Sequence, residues 1–293
     1  MDGSTVSGLQ REVSLRGFLL EDLGSGDITS EALIPVEQMG SARLYFREPG
    51  VAAGLEEAVI LFRLLGCEAK LLEKEGTPVS AGKVLLEVRG PARALLAGER
   101  VVLNVLSHMA GIATGTREVL GIAKSVNPGI RVAATRKTLP GLRDLEKRAV
   151  ELGGGDTHRL RLDDCVLIKD NHVKLLSGIS EAVRLAKQRA SFTKKIEVEV
   201  RSREEAEAAA REGADIIMFD NMTPSAIRES LSLLETSGLR RGRLFEASGG
   251  ITRENVAEYA AAGVDIVSLG SLTHSVRALD VKLEVVLESS TKP

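Results

Sequence analysis

Residues 195–250 read KIEVEVRSREEAEAAAREGADIIMFDNMTPSAIRESLSLLETSGLRRGRLFEASGG. Three short apolar runs, KIEVEV, DIIMFD and LFEAS, alternate with two stretches of helical periodicity, Ser202–Glu212 and Pro224–Leu234. The punctuation is strong. Ser202 with Glu205 makes a capping box, Thr223 precedes Pro224 at a first helical position, and Gly213 closes the first helix. Strand and helix in alternation predict a parallel sheet flanked by helices.

The rhythm extends both ways. RVAAT (131–135) and CVLIK (165–169) precede this segment and DIVSL (265–269) follows it, with helical stretches at Gly141–Leu152, Ser180–Arg189 and Arg253–Ala262. At this length an α/β barrel is the leading architecture. Each strand then ends in residues with chemistry: Arg136 and Lys137, Lys169, Glu199, Asp220, Ser248-Gly249-Gly250, and Gly270-Ser271. In a parallel barrel all of these gather at one mouth, where such folds bind ligands.

Cations dominate the first part of that set. Arg136, Lys137, His158, Arg159 and Lys169 flank apolar runs or the glycines 153–155, a placement that predicts a pocket for a multiply anionic ligand rather than a solvated face. Arg143, Lys147 and Arg148 fit the plainer reading, since they share a charged helix with Asp144, Glu146 and Glu151. In KIEVEV the period of two puts Glu197 and Glu199 on one face, into the barrel, with Ile196, Val198 and Val200 toward the helices. Glu199, nearer the strand's end, is the candidate for sugar hydroxyls, a metal ion or developing positive charge, and Glu197 is its structural partner; a purely structural ion-pair network is the alternative. Asp220 suits Mg²⁺, directly or through water, or caps the helix that follows. The glycines after the last two strands, with a helix expected from Thr252, match a phosphate site. Four histidines with no paired spacing argue against a dedicated zinc centre.

Composition narrows the field. A length of 293 residues with 43% apolar side chains suits one large or two modest domains. A net charge of −2, with no Trp and two Tyr, argues against a general nucleic-acid binder. Cys67 and Cys165 are too few for a disulfide framework, and Cys165 is expected simply to pack, so a reducing, cytoplasmic setting is expected. No signal core or membrane segment is evident. Residues 1–110 have a different rhythm: an amphipathic start over Leu9–Asp22, the turn-rich GSGDITSEALIP, strand-like runs at 41–46, 51–53, 68–72 and 84–88, and a helix over Leu55–Leu65. They form a separate α/β domain. The segment 91–126 predicts two helices, with Gly98, Gly111 and Gly115 as close-packing or breaking points.

The block ATRKTLPGLRDLEKRAVELGGGDTHRLRLDDCVLIKDNH (134–172), with EDLGSGDITS, LNVLSHMAGIATGTR, EVEV, FDN, EASGGI and LGSLTHS, closely resembles quinolinate phosphoribosyltransferases, from about Glu21 to about Asp280. The resemblance implies an N-terminal α/β domain (1–110), an open parallel α/β barrel of the type II phosphoribosyltransferase kind (111–273) and a tail (274–293) returning to the first domain. It implies a homodimer, or a multiple of dimers, with shared active sites. The implied reaction joins quinolinate to 5-phosphoribosyl-1-pyrophosphate (PRPP), with Mg²⁺, giving nicotinate mononucleotide, pyrophosphate and CO₂. By similarity Arg136, His158 and Arg159 hold the quinolinate carboxylates, with Arg100 reaching in from the partner subunit. Lys137 and Lys169 contact both anions, Glu199 and Asp220 face the ribose and Mg²⁺, and Ser248, Gly249, Gly250, Gly270 and Ser271 line the 5-phosphate site. Thr157 departs from the Asn usual in the family, which bears on substrate choice.

Competing readings are a same-fold enzyme for nicotinate or another ring acid, and the related group associated with molybdate transport. From other classes come a sugar-phosphate lyase or isomerase and a catalytically idle barrel. The nicotinate reading needs fewer carboxylate-binding cations, and the lyase has no use for TRKT plus HR.

Overall fold

A computed structural model describes residues 6–286, which fold as two compact units. The first comprises residues 6–115, 139–154 and 276–286, and the second 116–138 and 155–275. No described helix is long and apolar enough to cross a membrane.

In the first unit, β1 (Met39–Phe46), β2 (Gly50–Val51), β3 (Glu68–Leu71), β4 (Pro78–Val79) and β5 (Val84–Pro91) follow an N-terminal helix, Val6–Leu23. β1 and β3 flank β5 antiparallel, and β2 pairs with β4. The helix Leu55–Leu64 contributes Leu55, Leu61 and Phe62 to a core that includes Leu15, Leu44, Phe46, Leu85 and Leu86, all fully buried. Within the stretch read as turns, Asp27 caps a short helix, Ile28–Leu33, by accepting from the backbone N–H groups of Thr29 and Ser30.

The segment expected to form two helices is one, Ala92–Val126, of 35 residues. Two of its glycines, Gly98 and Gly111, sit at close-packing points, while Gly115 faces open space and still does not break the helix. A Cβ at Gly98 would meet Leu65 and Phe62, and one at Gly111 would run into the carbonyl of Arg277. The charged helix Arg143–Leu152 also differs from expectation. It belongs to the first unit, and Lys147 is buried while Arg148 ion-pairs with Glu56 and Glu57. Glu146 is equally buried, 3.0 Å from His108 Nε2. Charges that read as solvated are therefore an internal network, which local sequence cannot distinguish from a solvated helix face.

The second unit is built on β6 (Arg131–Ala134), β7 (Val166–Ile168), β8 (Ile196–Val200), β9 (Ile216–Asp220), β10 (Leu244–Ser248) and β11 (Ile266–Leu269). All pair in parallel, in the order β6-β11-β10-β9-β8-β7, forming the open α/β barrel. Asp156 extends the β6 edge through a parallel bridge to Ala133. Val198, Val200, Ile217, Phe219, Phe245, Ala247, Val267 and Leu269 form the helix-facing core at 0–1% exposure. Two helix starts follow the sequence signals: Ser202 accepts from Glu205 N–H, and Thr223 from Ala226 N–H ahead of Pro224.

The last described strand, β12 (Val281–Val286), joins the first unit by pairing antiparallel with β1, with Leu283 opposite Leu44. The expected tail, 274–293, is thus seen as far as residue 286; residues 1–5 and 287–293 lie outside the described part.

Candidate active site

The parallel register puts one face of four neighbouring strands to chemical use. Glu199 lies beside Met218, Asp220 beside Ser248, and Ser248 beside Ser268. A cleft of about 440 Å³ opens over that face, at the C-terminal strand ends. Arg136, Lys137, His158, Arg159, Lys169, Glu199, Asp220, Ser248, Gly249 and Gly250 all line it, so a set chosen along 115 positions of chain is gathered in one place. Arg136, Arg159 and Lys169 also border a second, more open hollow of about 570 Å³, with Cys165, His172 and Lys194. Cys165 is half-buried there.

The carboxylates at the rim are already engaged. Lys169 Nζ donates to Glu199 Oε1 at 2.7 Å. Asp220 Oδ2 accepts from Arg201 Nε at 3.0 Å and lies 2.9 Å from its Nη2, while Asp220 Oδ1 accepts from Asn221 Nδ2 at 2.8 Å. Arg201 was not among the sequence candidates, although it is the first residue past a barrel strand. Asn221 adopts a left-handed φ of 55°, held by its N–H on the carbonyl of Ser248. Gly249, at φ 91°, abuts it: a Cβ there would overlap the Asn221 amide. Here glycine is required by backbone angle and by space.

The phosphate end differs in detail from expectation. The helix after Gly250 begins at Val256 and has five residues, while residues 251–255 form a turn held by Asn255, which accepts from Thr252 N–H and donates to the Gly250 carbonyl. Gly270 and Ser271 do not line the cleft. They open the short turn whose Thr273 hydroxyl donates to the Lys137 carbonyl at 2.8 Å, supporting a cleft residue from behind. Ser268 reaches the cleft, and its Oγ has no hydrogen-bond partner among the described residues. Arg100 belongs to the first unit, exposed on the helix Ala92–Val126.

Two fully buried acids, Glu197 and Glu246, meet at His158. The ring Nε2 lies 3.1 Å from Glu246 Oε2 and 3.4 Å from Glu197 Oε1. Its Nδ1 accepts the backbone N–H of Arg159 at 2.8 Å, and His158 itself sits at φ 51° with its N–H on Asp156 Oδ1 at 2.7 Å. Burial alone would lower the His158 pKa, but the hydrogen bond to Glu246 and the charge of Glu246 and Glu197 outweigh it and favour a proton on the ring. Burial raises that of Glu197, against the pull of His158 nearby and with help from the Glu246 charge. The Arg159 N–H requires a lone pair on Nδ1, so the geometry puts the ring's proton on Nε2, facing the two acids. The same bond argues against a metal ion among these three side chains, whose ligand atoms lie within 4.8 Å of one another, because a neutral ring would have to offer Nε2 unprotonated. Glu246 was missed in the sequence, yet the alternation that singled out Glu197 and Glu199 in KIEVEV also puts Glu246 and Ser248 of LFEAS on the barrel side.

Two family models cover nearly the whole chain: the quinolinate phosphoribosyl transferase N-terminal domain over residues 27–110 and C-terminal domain over 112–284. The chain belongs to that family. A probable carboxylating nicotinate-nucleotide pyrophosphorylase of Methanothermobacter thermautotrophicus is 47% identical over 271 residues, covering 92% of this chain and 97% of its own. The human carboxylating nicotinate-nucleotide pyrophosphorylase is 38% identical over 87% of this chain and 85% of its own. Among solved structures, NadC from Streptococcus pyogenes superimposes with a TM-score of 0.90 at 35% identity, covering 97% of this chain and 99% of that one. For a quinolinate phosphoribosyl transferase, the family architecture and the cationic cleft at the strand ends point to the same substrates.

Proposed function

We propose that this protein transfers the phosphoribosyl group of PRPP to quinolinate with loss of CO₂, giving nicotinate mononucleotide and pyrophosphate, a step of NAD biosynthesis. The observation that carries the proposal is the meeting of Arg136, Lys137, Arg159 and Lys169 with Glu199 and Asp220 in one cleft. Cations outnumber carboxylates there, so the cleft favours polyanions. Arg136 and Arg159 take the two carboxylates of quinolinate; His158, expected to join them, has both ring nitrogens engaged, by Glu246 and by the Arg159 N–H, and instead fixes the Arg159 backbone. Lys137 and Lys169 bridge toward the pyrophosphate, and Ser248, Gly249 and Gly250 take the 5-phosphate, with Gly270 and Ser271 behind them.

Holding a dianionic ring beside a polyphosphate supplies proximity. As pyrophosphate departs, the sugar becomes oxocarbenium-like, and Glu199 and Asp220 stabilise that charge electrostatically. Loss of CO₂ next to the pyridinium nitrogen leaves a carbanion beside N⁺, which a cationic pocket sheltered from water tolerates. The hard oxygens of Glu199 and Asp220 suit Mg²⁺, and their present ion pairs favour contact through water together with ligand phosphates. Bound Mg²⁺ would neutralise charge on the pyrophosphate. Arg100, exposed on its helix, is the residue we assign to a partner subunit's site in a homodimer, and we place the reaction in the cytoplasm.

The test is release of pyrophosphate and CO₂ from PRPP, Mg²⁺ and either quinolinate or nicotinate. Both products appearing only with quinolinate is the expected result. Pyrophosphate with nicotinate and silence with quinolinate would overturn the substrate and direct attention to Thr157.

A further inference from the structure

Glu246 is a carboxylate in the centre of a strand, fully buried, and the reaction assigned above makes no use of it. It flanks β9 on one side and Glu197 flanks it on the other, Glu246 in register with Met218 and Glu197 with Ile216. Burying two acids beneath a cleft is unfavourable unless each is paired, and here both converge on one nitrogen. His158 is the residue that gains. Its left-handed backbone, φ 51°, is uncommon and unfavourable for a side chain with a Cβ. Three contacts oppose that tendency: its N–H on Asp156, its Nε2 on Glu246 with Glu197 3.4 Å away, and its Nδ1 under the Arg159 N–H. The last is unusual, because the Arg159 backbone donor is satisfied by a ring nitrogen and not by a carbonyl. It holds only while the ring keeps Nδ1 unprotonated and stays in this rotamer.

We propose that Glu246, together with Glu197, is a positioning residue for quinolinate: it grips His158 at Nε2, fixes the Nε2–H tautomer, and so anchors the Arg159 backbone whose guanidinium lines the cleft. The inference rests on the assignment of Arg159 to the ring acid. Glu246 borders the cleft floor, and the role assigned here runs through two residues in sequence, ring and then backbone. A carboxylate serves better than a neutral acceptor, since charge strengthens the bond to Nε2–H. Partners one step removed from a bound group, when deleted, typically weaken a site by about 10- to 100-fold.

The experiment has two arms. Nitrogen-15 NMR of histidine-labelled wild-type protein, with His158 identified by loss of its signals in His158→Asn, is expected to show a proton on Nε2 and none on Nδ1. In steady-state kinetics Glu246→Ala is expected to raise KM for quinolinate by about 10- to 100-fold while KM for PRPP stays unchanged, and Glu246→Gln, which keeps an acceptor of the same shape, is expected to recover most of that loss. A proton on Nδ1 in the wild type overturns the proposal. So does an equal rise in both KM values, or a Gln variant as impaired as the Ala one. Should Glu246→Ala fail to fold, the wild-type spectrum and the isosteric Gln variant still decide: a large quinolinate-specific defect in Glu246→Gln would count against a role met by any acceptor. Failure of wild-type protein to release pyrophosphate with quinolinate would instead sink the substrate assignment, and the ring spectrum would stand apart from it.

Discussion

Replacing Lys169 by Ala separates stability from catalysis with unusual clarity. Lys169 meets Glu199 at 2.7 Å, but its side chain is 44% exposed while that of Glu199 is 13% exposed. A fully dry charged hydrogen bond would contribute about 1.5–3 kcal/mol; solvent around the lysine brings this pair toward the range of about 0–1 kcal/mol measured for exposed pairs. The variant should therefore fold, with a denaturant midpoint close to that of the wild type. Catalysis should respond differently. A cation about 4 Å from an anionic substrate group, in surroundings of effective dielectric about 20, is worth about 4 kcal/mol. At about 1.4 kcal/mol per decade, losing it lowers kcat/KM by roughly 10³-fold. Pyrophosphate release under saturating and limiting PRPP, beside urea unfolding of the same preparations, reads both numbers. A folded Lys169→Ala protein with wild-type kcat/KM would refute the assignment, and a stability loss of several kcal/mol would show that the ion pair is mainly structural.

Arg136→Ala should raise KM for quinolinate far more than KM for PRPP; equal losses in a two-substrate titration would move Arg136 out of the ring-acid site. Gly249→Ala, at φ 91° and against the Asn221 amide, should lower stability by about 1–3 kcal/mol and raise KM for PRPP as Asn221 is pushed from Asp220. Thermal unfolding and PRPP kinetics check both effects, and unchanged values in both would mean that the loop rearranges freely. Burial raises the Glu75 pKa from 4.5 to about 7, against a hydrogen bond from the Glu56 N–H and with help from the Glu57 charge. The folded protein then holds this proton more tightly than the unfolded chain, so stability falls as pH rises from about 4.5 to about 7. Glu75→Gln should remove that slope, gaining on the wild type between pH 5 and pH 8 in parallel urea titrations; parallel curves would refute it.

Much of the barrel was legible because its signals are local. Six apolar runs, a Ser cap, a Thr-Pro start and glycine stops each specify an element within a few residues, and parallel alternation then forces the strand ends together. Glu199 and Asp220 could be found because a period of two and a strand's last position are visible in one dimension. Burial of charge was not legible. Lys147 and Arg148 have the same spacing whether they face water or Glu56 and Glu57, and only tertiary packing decides. Arg201 and Glu246 were overlooked for related reasons. One looked like an ordinary surface cation after a strand, and the other was a single acid in an apolar run whose partner, His158, lies 88 positions away. The helix Ala92–Val126 was divided on its glycines because intrinsic propensity was visible while the neighbours filling the space above Gly98 and Gly111 were not.

The pairing of β12 with β1 has a consequence for biosynthesis. Val285 lies opposite Ala42, so β1 waits for a partner strand about 240 positions further along the chain to leave the ribosome. At about 5–20 residues per second the wait is on the order of tens of seconds. Throughout that interval β1 presents an open row of backbone donors and acceptors, the kind of edge that recruits other strands. A nascent chain would need a chaperone, or the rapid folding of segments already made, to guard it. A chain cut between β11 and β12 would carry every cleft residue and still lack the strand that completes this sheet.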